Sequence, residues 1–207
     1  YQMSILGTYF TFIYNDVKQN IHMPLIGKYN IYNALVTIII LHELGITFSS
    51  IADVLENINC PAGRMDMVEY KNNRIIIDYA HTPDAIQNVI STVKEVCDGH
   101  IYTVFGCTGD RDRTKRPIMM KLVTDLCDKA IVTCDDVHNE DPNQIVNDML
   151  KDNKNDNYEI ELDRKKAIIK GIDLLQSNDA LLILGKGHEE VMIIKNNVKI
   201  PFNDKKC

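Results

Sequence analysis

The chain has 207 residues, 45% of them hydrophobic and 25% charged, a balance typical of a globular protein with a buried core. Its formal net charge of −6 argues against a general nucleic-acid-binding protein, which would carry a basic surface. The 6 cysteines show no paired C-x-x-C spacing, so we expect reduced thiols and no zinc site. There is no signal-peptide pattern and no apolar run of the roughly 20 residues that span a bilayer, so we expect a cytoplasmic protein without a membrane partner.

The first 60 residues predict a β-hairpin followed by two helices. Residues 9–14 and 17–23 are strand-like and flank Asn15-Asp16, a pair that favours turns. Helical apolar spacing follows over residues 30–44 and again from about residue 50. Pro61 and Gly63 then interrupt the pattern, so residues 61–64 are predicted to be a linker. Because the chain opens on strand-like alternation without a methionine, we expect it to be a piece of a longer chain.

From residue 65 onward, strands and helices alternate. After a hairpin at residues 65–77, strands are predicted at residues 101–105, 130–133, 158–161 and 180–184, with helices starting near Pro83, Pro117, Pro142 and Arg164. A closing hairpin is predicted at residues 192–201. This alternation predicts an α/β fold with a mostly parallel, Rossmann-like sheet covered by helices on both faces.

The stretch of residues 74–84 joins a buried strand to a helix. Three consecutive isoleucines are followed by Asp78, and then by Tyr79 and His81. Thr82 can cap the next helix. Ligands of open α/β sheets usually bind at this end of a strand. An ordinary β–α loop accounts for the same residues, so position alone does not decide between the two.

Polar loops also follow the other strands. Residues 106–117 combine glycines with four basic residues, residues 135–142 are acidic, and residues 185–189 read Gly-Lys-Gly-His-Glu. A self-neutralising surface loop explains the first of these, and helix capping explains part of the second. No Walker A or G-x-G-x-x-G motif is present, which argues against a nicotinamide-dinucleotide site. His81 and His188 do not make a metal triad, so no metal ligand is predicted.

Taken together, these motifs resemble the Mur ligase family, and most closely its members that add the third amino acid of the peptide. The motifs occur in the family's order. They are Gly27-Lys28-Tyr29-Asn30 with Asn33, Gly63-Arg64-Met65, Asp78-Tyr79-Ala80-His81-Thr82-Pro83-Asp84, residues 106–117, Glu140-Asp141-Pro142 and Gly185-Lys186-Gly187-His188-Glu189. The resemblance implies that residues 1–60 end an α/β ATP-binding central domain and that residues 65–207 form the Rossmann-like C-terminal domain. The ATP P-loop and the family's modified, magnesium-linked lysine are then expected upstream of Tyr1.

The resemblance also implies a reaction. With ATP and Mg²⁺, such enzymes phosphorylate the terminal carboxylate of UDP-MurNAc-L-Ala-D-Glu, and the amine of the third amino acid attacks the acyl phosphate. The expected partners are these small molecules and not nucleic acid, and the expected state is a monomer. Without a P-loop, this chain alone is expected to catalyse no ligation.

Site residues carry over from the family by position. Asn30 or Asn33, with Asn33 favoured, would contact adenine. Arg64 and Asp78 would face the nucleotide, with Tyr79 and His81 nearby. Arg64 and His81 are also the candidates for a catalytic role.

For the incoming amino acid, the resemblance assigns Arg111 to the α-carboxylate. It places Gly185 and Glu189 at the amino end, and makes Asp135 the first residue of the specificity loop, which we define as residues 135–138.

The specificity loop departs from the family pattern. Enzymes that add meso-diaminopimelate usually read Asp-Asn-Pro-Arg, whereas this chain has Asp135-Asp136-Val137-His138. With an additional acid and no arginine, the loop suits a distal cation, which favours L-lysine. Gly-Asp-Arg-Asp at residues 109–112 also occurs in diaminopimelate enzymes, and a protonated His138 could accept a carboxylate, so both amino acids stay open.

Two other functions fit the same residues. One is another amide ligase of the superfamily, such as the D-alanyl-D-alanine-adding enzyme or a folylpolyglutamate synthetase. The other is a non-catalytic ligand-binding module derived from a ligase C-terminal domain.

Overall fold

The computed structural model describes residues 1–207, which form two compact units, Tyr1–Pro61 and Ala62–Cys207. Each unit has its own hydrophobic core. None of the helices is both long enough and apolar enough to cross a membrane.

The first unit is a three-stranded antiparallel sheet packed against two helices. Its elements are β1 (Gln2–Ser4), β2 (Gly7–Tyr14), β3 (Val17–Met23), α1 (Lys28–Glu43) and α2 (Phe48–Glu56). Phe10 and Phe12 alternate with exposed neighbours along β2 and point into the core, where the Phe12 ring meets Phe48 edge-on at 5.0 Å. The predicted hairpin and both helices are present, whereas the short strand β1 was not predicted.

The second unit contains a six-stranded sheet, four helices and a separate hairpin. Its elements are β4 (Asp66–Tyr70), β5 (Asn73–Asp78), α3 (Pro83–Lys94), β6 (Ile101–Phe105), α4 (Lys115–Leu126), β7 (Lys129–Val132), α5 (Pro142–Leu150), β8 (Tyr158–Ile160), α6 (Arg164–Leu174), β9 (Ala180–Leu184), β10 (Val191–Ile194) and β11 (Val198–Pro201). The sheet order is β4-β5-β9-β6-β7-β8, and only β4 runs antiparallel to its neighbour. The predicted mostly parallel α/β sheet is therefore confirmed.

Helices cover both faces of this sheet, because its strands are apolar on both sides. Ile75 and Ile77 of β5 pack in one cluster with Ala167 and Ile168 of α6. Ile76 lies between them in the strand, is fully buried, and points to the opposite face. Helices α3, α4 and α5 pack side by side and lie outside the α6 cluster, so they cover that second face.

The position of β9 brings the candidate loops together. After α6 the chain returns to place β9 between β5 and β6, parallel to both. The carboxyl ends of β5, β9, β6 and β7 therefore meet at one edge of the sheet. The loops that follow these strands are those with the polar motifs.

Candidate functional site

A cavity of about 490 Å³ opens at this edge of the sheet. Eight of the residues singled out from the sequence line it, and they come from the loops after β5, β6, β7 and β9: Tyr79, His81, Arg111, Asp135, Asp136, His138, Gly185 and Glu189. Side chains far apart in sequence thus share one cavity because parallel strands end at the same sheet edge.

One part of the cavity lining is basic. Arg111 and Lys115 both line it, and both are exposed without an ion-pair partner. Asp112, between them in sequence, forms no ion pair with either one, and its Oδ1 accepts hydrogen bonds from the amide and the hydroxyl of Thr114. Arg111 therefore offers a free guanidinium fork, the group best suited to a carboxylate.

Another part of the lining is acidic and is organised by Lys186, to which the sequence motifs assign no role. Lys186 is fully buried, and its Nζ lies 2.6 Å from Glu189 Oε2, 2.8 Å from Asp136 Oδ1 and 3.8 Å from Asp135 Oδ1. Burial raises the pKa of Asp135. Even without Asp135, Asp136 and Glu189 place two carboxylates on one ammonium, and this excess of negative charge suits a second ammonium from a ligand.

The contacts of Lys186 change the interpretation of Asp136. The sequence alone makes Asp136 an additional acid that is available for a distal cation. In the structure Asp136 is 8% exposed, and its Oδ1 accepts hydrogen bonds from Lys186 Nζ and from the Ile193 amide. Asp136 is therefore already paired, and the argument for a lysine substrate loses one of its two residues.

Gly185 approaches Asp135 more closely than any other residue type could. Its φ is +113°, and a Cβ atom built on it would lie 2.5 Å from Asp135 Oδ2. A side chain at this position would displace the Asp135 carboxylate and strain the backbone. Gly185 thus contributes its backbone to the cavity.

A buried arginine joins the two charged loops to each other. Arg116, which is 1% exposed, forms a bidentate pair with Glu140 at 2.9 and 2.8 Å. It also binds Asp148 Oδ2 at 2.7 Å and the Thr108 carbonyl at 3.2 Å. Glu140 Oε1 accepts a further hydrogen bond of 2.6 Å from the Asp110 amide. The charge run at residues 106–117 is therefore partly a buried structural network, and α4 begins at Lys115 rather than Pro117 as predicted.

This network makes a pH-dependent prediction about Glu140. Its bonds to Arg116 lower the pKa of Glu140 from 4.5 to about 2. A carboxyl with a depressed pKa stabilises the fold above its unfolded value, and this contribution disappears as the pH falls toward the folded value. We therefore expect Glu140→Gln to destabilise the protein most above pH 4.5 and progressively less down to about pH 2.

Urea denaturation of the protein and the Glu140→Gln variant across this pH range measures the effect. Glu69→Gln is the control, because Glu69 is exposed and only pairs with Arg74 at the sheet edge. A Glu140→Gln effect that does not change with pH would contradict the prediction.

The hairpin of β10 and β11 forms a wall of the cavity that the motifs did not indicate. The Val137 amide donates to the Ile193 carbonyl at 2.9 Å, and the Ile193 amide donates to Asp136 Oδ1 at 2.7 Å. Ile193 also lines the cavity. The hairpin was predicted as an element, but its docking on the specificity loop depends on backbone pairing that no motif shows.

Asp78 does not reach the cavity. It is 6% exposed, and its two oxygens accept hydrogen bonds from the amides of Met65 at 2.7 Å and Ala80 at 2.8 Å. Burial raises the pKa of this carboxyl. Asp78 therefore ties the start of the second unit to the end of β5, whereas the sequence predicts that it faces the nucleotide.

Arg64, Tyr79 and His81 form a small cluster next to Asp78. The Arg64 guanidinium lies 4.9 Å from the centre of the Tyr79 ring, and the His81 ring lies 4.7 Å from it. His81 Nδ1 is 2.7 Å from the Tyr79 carbonyl oxygen, which only accepts, so Nδ1 carries a proton and Nε2 is the remaining polar atom. Of these three residues, Tyr79 and His81 line the cavity and Arg64 does not.

Close backbone packing fixes the end of the linker against the loop of residues 185–189. A Cβ atom on Gly63 would lie 2.1 Å from the His188 amide nitrogen, and one on Gly187 would lie 2.8 Å from the Gly63 carbonyl oxygen. Both glycines also have positive φ. Only glycine at both positions allows this approach, which places Arg64 next to the strand-end loops.

The two asparagines assigned to adenine belong to the first unit. Asn30 Nδ2 donates to the Ile26 carbonyl at 2.8 Å, which occupies its amide in a local turn. The side chain of Asn33 is exposed and forms no such bond. Both asparagines lie in α1.

No group of three or more His, Cys, Asp or Glu side chains is arranged to hold a metal ion. We assign none of these residues to Mg²⁺. The six cysteines are all free, and burial raises the pKa of Cys107, which lines the cavity, to about 12.

Known proteins resemble the chain over nearly its whole length. A ligase of Clostridium botulinum that joins UDP-N-acetylmuramoyl-L-alanyl-D-glutamate and 2,6-diaminopimelate is 40% identical over 202 residues, which cover 96% of this chain and 42% of the relative. The ligase of the same name from Fusobacterium nucleatum is 43% identical and covers 93% of this chain and 41% of the relative. The chain thus spans about two fifths of the length of these relatives.

Solved structures agree with this similarity. One diaminopimelate ligase of the same name superposes with a TM-score of 0.74 at 32% identity, covering 98% of this chain and 42% of that one. A folylpolyglutamate synthase of Thermotoga maritima shares the fold alone, with a TM-score of 0.70 at 22% identity over 89% of this chain and 42% of that one. The family model described as "Mur ligase, glutamate ligase domain" matches residues 63–187. The chain therefore belongs to the Mur ligase family.

Proposed function

We propose that the protein containing this chain is an ATP-dependent ligase that adds the third amino acid to UDP-MurNAc-L-Ala-D-Glu, and that the cavity binds this amino acid. The observation that carries the proposal is that a positively charged group and a negatively charged cluster line the same cavity. A free Arg111 guanidinium and a carboxylate cluster around Lys186 share one cavity of about 490 Å³. An α-amino acid carries a carboxylate and an ammonium, which these two groups complement.

In this proposal the chain orients a nucleophile. Arg111 binds the α-carboxylate, while Glu189 and the Gly185 backbone lie beside the amino end. Fixing the amine in this way converts attack on an acyl phosphate into a step within one complex, and an enclosed site keeps water away from the acyl phosphate. The relatives' names, which specify a ligase of a muramoyl-peptide and an amino acid, support this substrate class.

We assign the nucleotide to other residues. Asn33 or, as the alternative, Asn30 contacts adenine in this proposal, and Arg64, Tyr79 and His81 face the nucleotide. Asp78 acts by holding the backbone of Met65 and Ala80. ATP is the cosubstrate with Mg²⁺, whose ligands we do not place in this chain. We further propose a cytoplasmic monomer whose partners are these small molecules.

For the third amino acid we propose meso-diaminopimelate. The relatives at 40% and 43% identity are both named as 2,6-diaminopimelate ligases, and Asp136 is paired with Lys186. L-Lysine is the second candidate, because His138 replaces the arginine of the Asp-Asn-Pro-Arg pattern. Both amino acids carry the α-carboxylate and ammonium that the cavity complements.

An ATP-dependent coupling assay tests the proposed function. The full-length protein is incubated with UDP-MurNAc-L-Ala-D-Glu, Mg²⁺, ATP and either meso-diaminopimelate or L-lysine, and the peptide product is measured. We expect product with meso-diaminopimelate and none from the 207-residue chain alone. Product with L-lysine only would support the ligase activity but show that L-lysine, not meso-diaminopimelate, is the substrate. No product with either amino acid would favour the non-catalytic module.

Arg111→Ala is expected to raise the KM for the amino acid roughly 100-fold, because a bidentate, charge-assisted contact is lost. Arg113→Ala is the matched control. Arg113 lies two residues away, is 59% exposed in its side chain, pairs with Glu140 and does not line the cavity. Equal effects of the two substitutions on this KM would contradict the assignment of Arg111.

A further inference from the structure

His138 stands at the end of the specificity loop and is held by the hairpin of β10 and β11. Its φ is +51°, and it is one of the residues that line the cavity. His138 Nδ1 lies 2.7 Å from Oδ1 of Asn197, in the turn between the two strands. The identity of the atom that carries the proton in this bond decides what the ring presents to a ligand.

The surrounding hydrogen bonds settle the direction of donation. Asp110 Oδ2 accepts from Asn139 Nδ2 at 2.8 Å and from the Asn139 amide at 3.3 Å. An ionised carboxylate only accepts, so the other side-chain atom of Asn139, Oδ1, is left as an acceptor. Asn197 Nδ2 donates to this oxygen at 3.5 Å, which turns Asn197 Oδ1 toward the histidine. Since Oδ1 only accepts, His138 Nδ1 must be the donor.

This arrangement fixes the chemistry of the free ring nitrogen. A neutral imidazole has one proton, and Nδ1 holds it in the bond to Asn197. Nε2 is then an acceptor with a lone pair. A lone pair accepts a hydrogen bond from an ammonium.

We propose that Asn197 is a positioning residue that holds the His138 imidazole in its Nδ1–H tautomer, so that Nε2 accepts a hydrogen bond from the distal ammonium that meso-diaminopimelate and L-lysine share. The inference rests on the proposed function in that the ligand is a diamino acid. It assigns to the β10–β11 turn a role in selecting the substrate, and it explains how a chain without the loop arginine accepts a diamino acid through its distal amine.

NMR of the histidine rings tests the tautomer without any activity measurement. The ¹⁵N-labelled protein is studied at a pH of about 8, where an ordinary imidazole is neutral, and His138→Gln identifies the ring signals. We expect a protonated Nδ1 in the unsubstituted protein and a shift toward the Nε2–H tautomer in Asn197→Ala. A protonated Nε2 in the unsubstituted protein, or no shift in Asn197→Ala, would overturn the proposal.

Asn196→Ala is the matched control for this experiment. Asn196 is the neighbouring residue of the turn, has φ +63° against +57° for Asn197, and forms no side-chain hydrogen bond. Both substitutions therefore carry the same backbone penalty, and only one removes the acceptor for His138. A tautomer shift of equal size in Asn196→Ala would contradict a specific role of the Asn197 side chain.

Kinetics of the full-length enzyme test the selection. For Asn197→Ala we expect the KM for the diamino acid to rise about tenfold with kcat nearly unchanged, and no change for Asn196→Ala. An unchanged KM would overturn the role in selection. If the unsubstituted enzyme forms no product, the proposed function fails, whereas the tautomer result still supports or refutes the role of Asn197 in positioning the ring.

Discussion

Lys186→Met is expected to lower the free energy of unfolding by roughly 3–5 kcal/mol, because removing one partner of a buried ion pair leaves the other charges uncompensated. Lys186 is fully buried and binds Asp136 at 2.8 Å and Glu189 at 2.6 Å. Without the ammonium, the three carboxylates of the cluster repel each other inside the second unit. We therefore also expect loss of amino-acid binding, since these carboxylates no longer keep their positions.

Denaturant unfolding measures the stability, and calorimetric titration with meso-diaminopimelate measures the binding. Lys121→Met is the control, because Lys121 is 71% exposed in its side chain and pairs with Asp125 on the surface of α4. Such exposed pairs contribute at most about 1 kcal/mol. Lys186→Arg keeps the charge and should recover part of the stability. A loss for Lys186→Met no larger than that for Lys121→Met would contradict the structural role of the cluster.

Asp204→Ala is expected to destabilise the second unit by a similar amount, roughly 3–5 kcal/mol. Asp204 and Arg164 are both fully buried in their side chains and form a bidentate pair at 2.7 and 2.8 Å. Arg164 also donates to the carbonyls of Leu184 at 2.9 Å and Cys134 at 3.5 Å. Since Asp135 and Gly185 come directly after these carbonyls, loss of the pair should also disturb the cavity.

Thermal and denaturant unfolding of three variants check this prediction. Glu190→Ala is the control, because Glu190 pairs with Lys206 where both side chains are more than half exposed. The double replacement Arg164→Met with Asp204→Leu removes both charges and should cost less than Asp204→Ala alone. A double variant that is less stable than the single one would contradict the uncompensated-charge explanation.

Much of the fold was predictable because its strands are locally distinctive. The buried runs of β5 and β9 consist of β-branched and aliphatic residues between polar loops, and Thr82 caps α3 by accepting from the Ala85 amide as expected. The order of the strands was not predictable. The placement of β9 between β5 and β6 depends on pairing between residues more than 70 positions apart, to which no local pattern refers.

The cavity was predictable to the level of its loops but not of its contacts. Arg111, Asp135 and Glu189 follow parallel strands, so their meeting at one sheet edge follows from the topology. Which charges pair does not follow, because composition alone does not show that Lys186 is buried among carboxylates or that Arg116 binds Glu140. Asp78 shows the same limit, since its position at a strand end was read correctly while its two backbone partners were not visible in the sequence.

The most direct test of the amino-acid site is a crystal structure of the full-length protein with meso-diaminopimelate. We expect the α-carboxylate on the Arg111 guanidinium, the α-ammonium beside Glu189 and Gly185, and the distal ammonium at His138 Nε2. An amino acid bound outside this cavity, or bound in it with its α-carboxylate away from Arg111, would contradict the account.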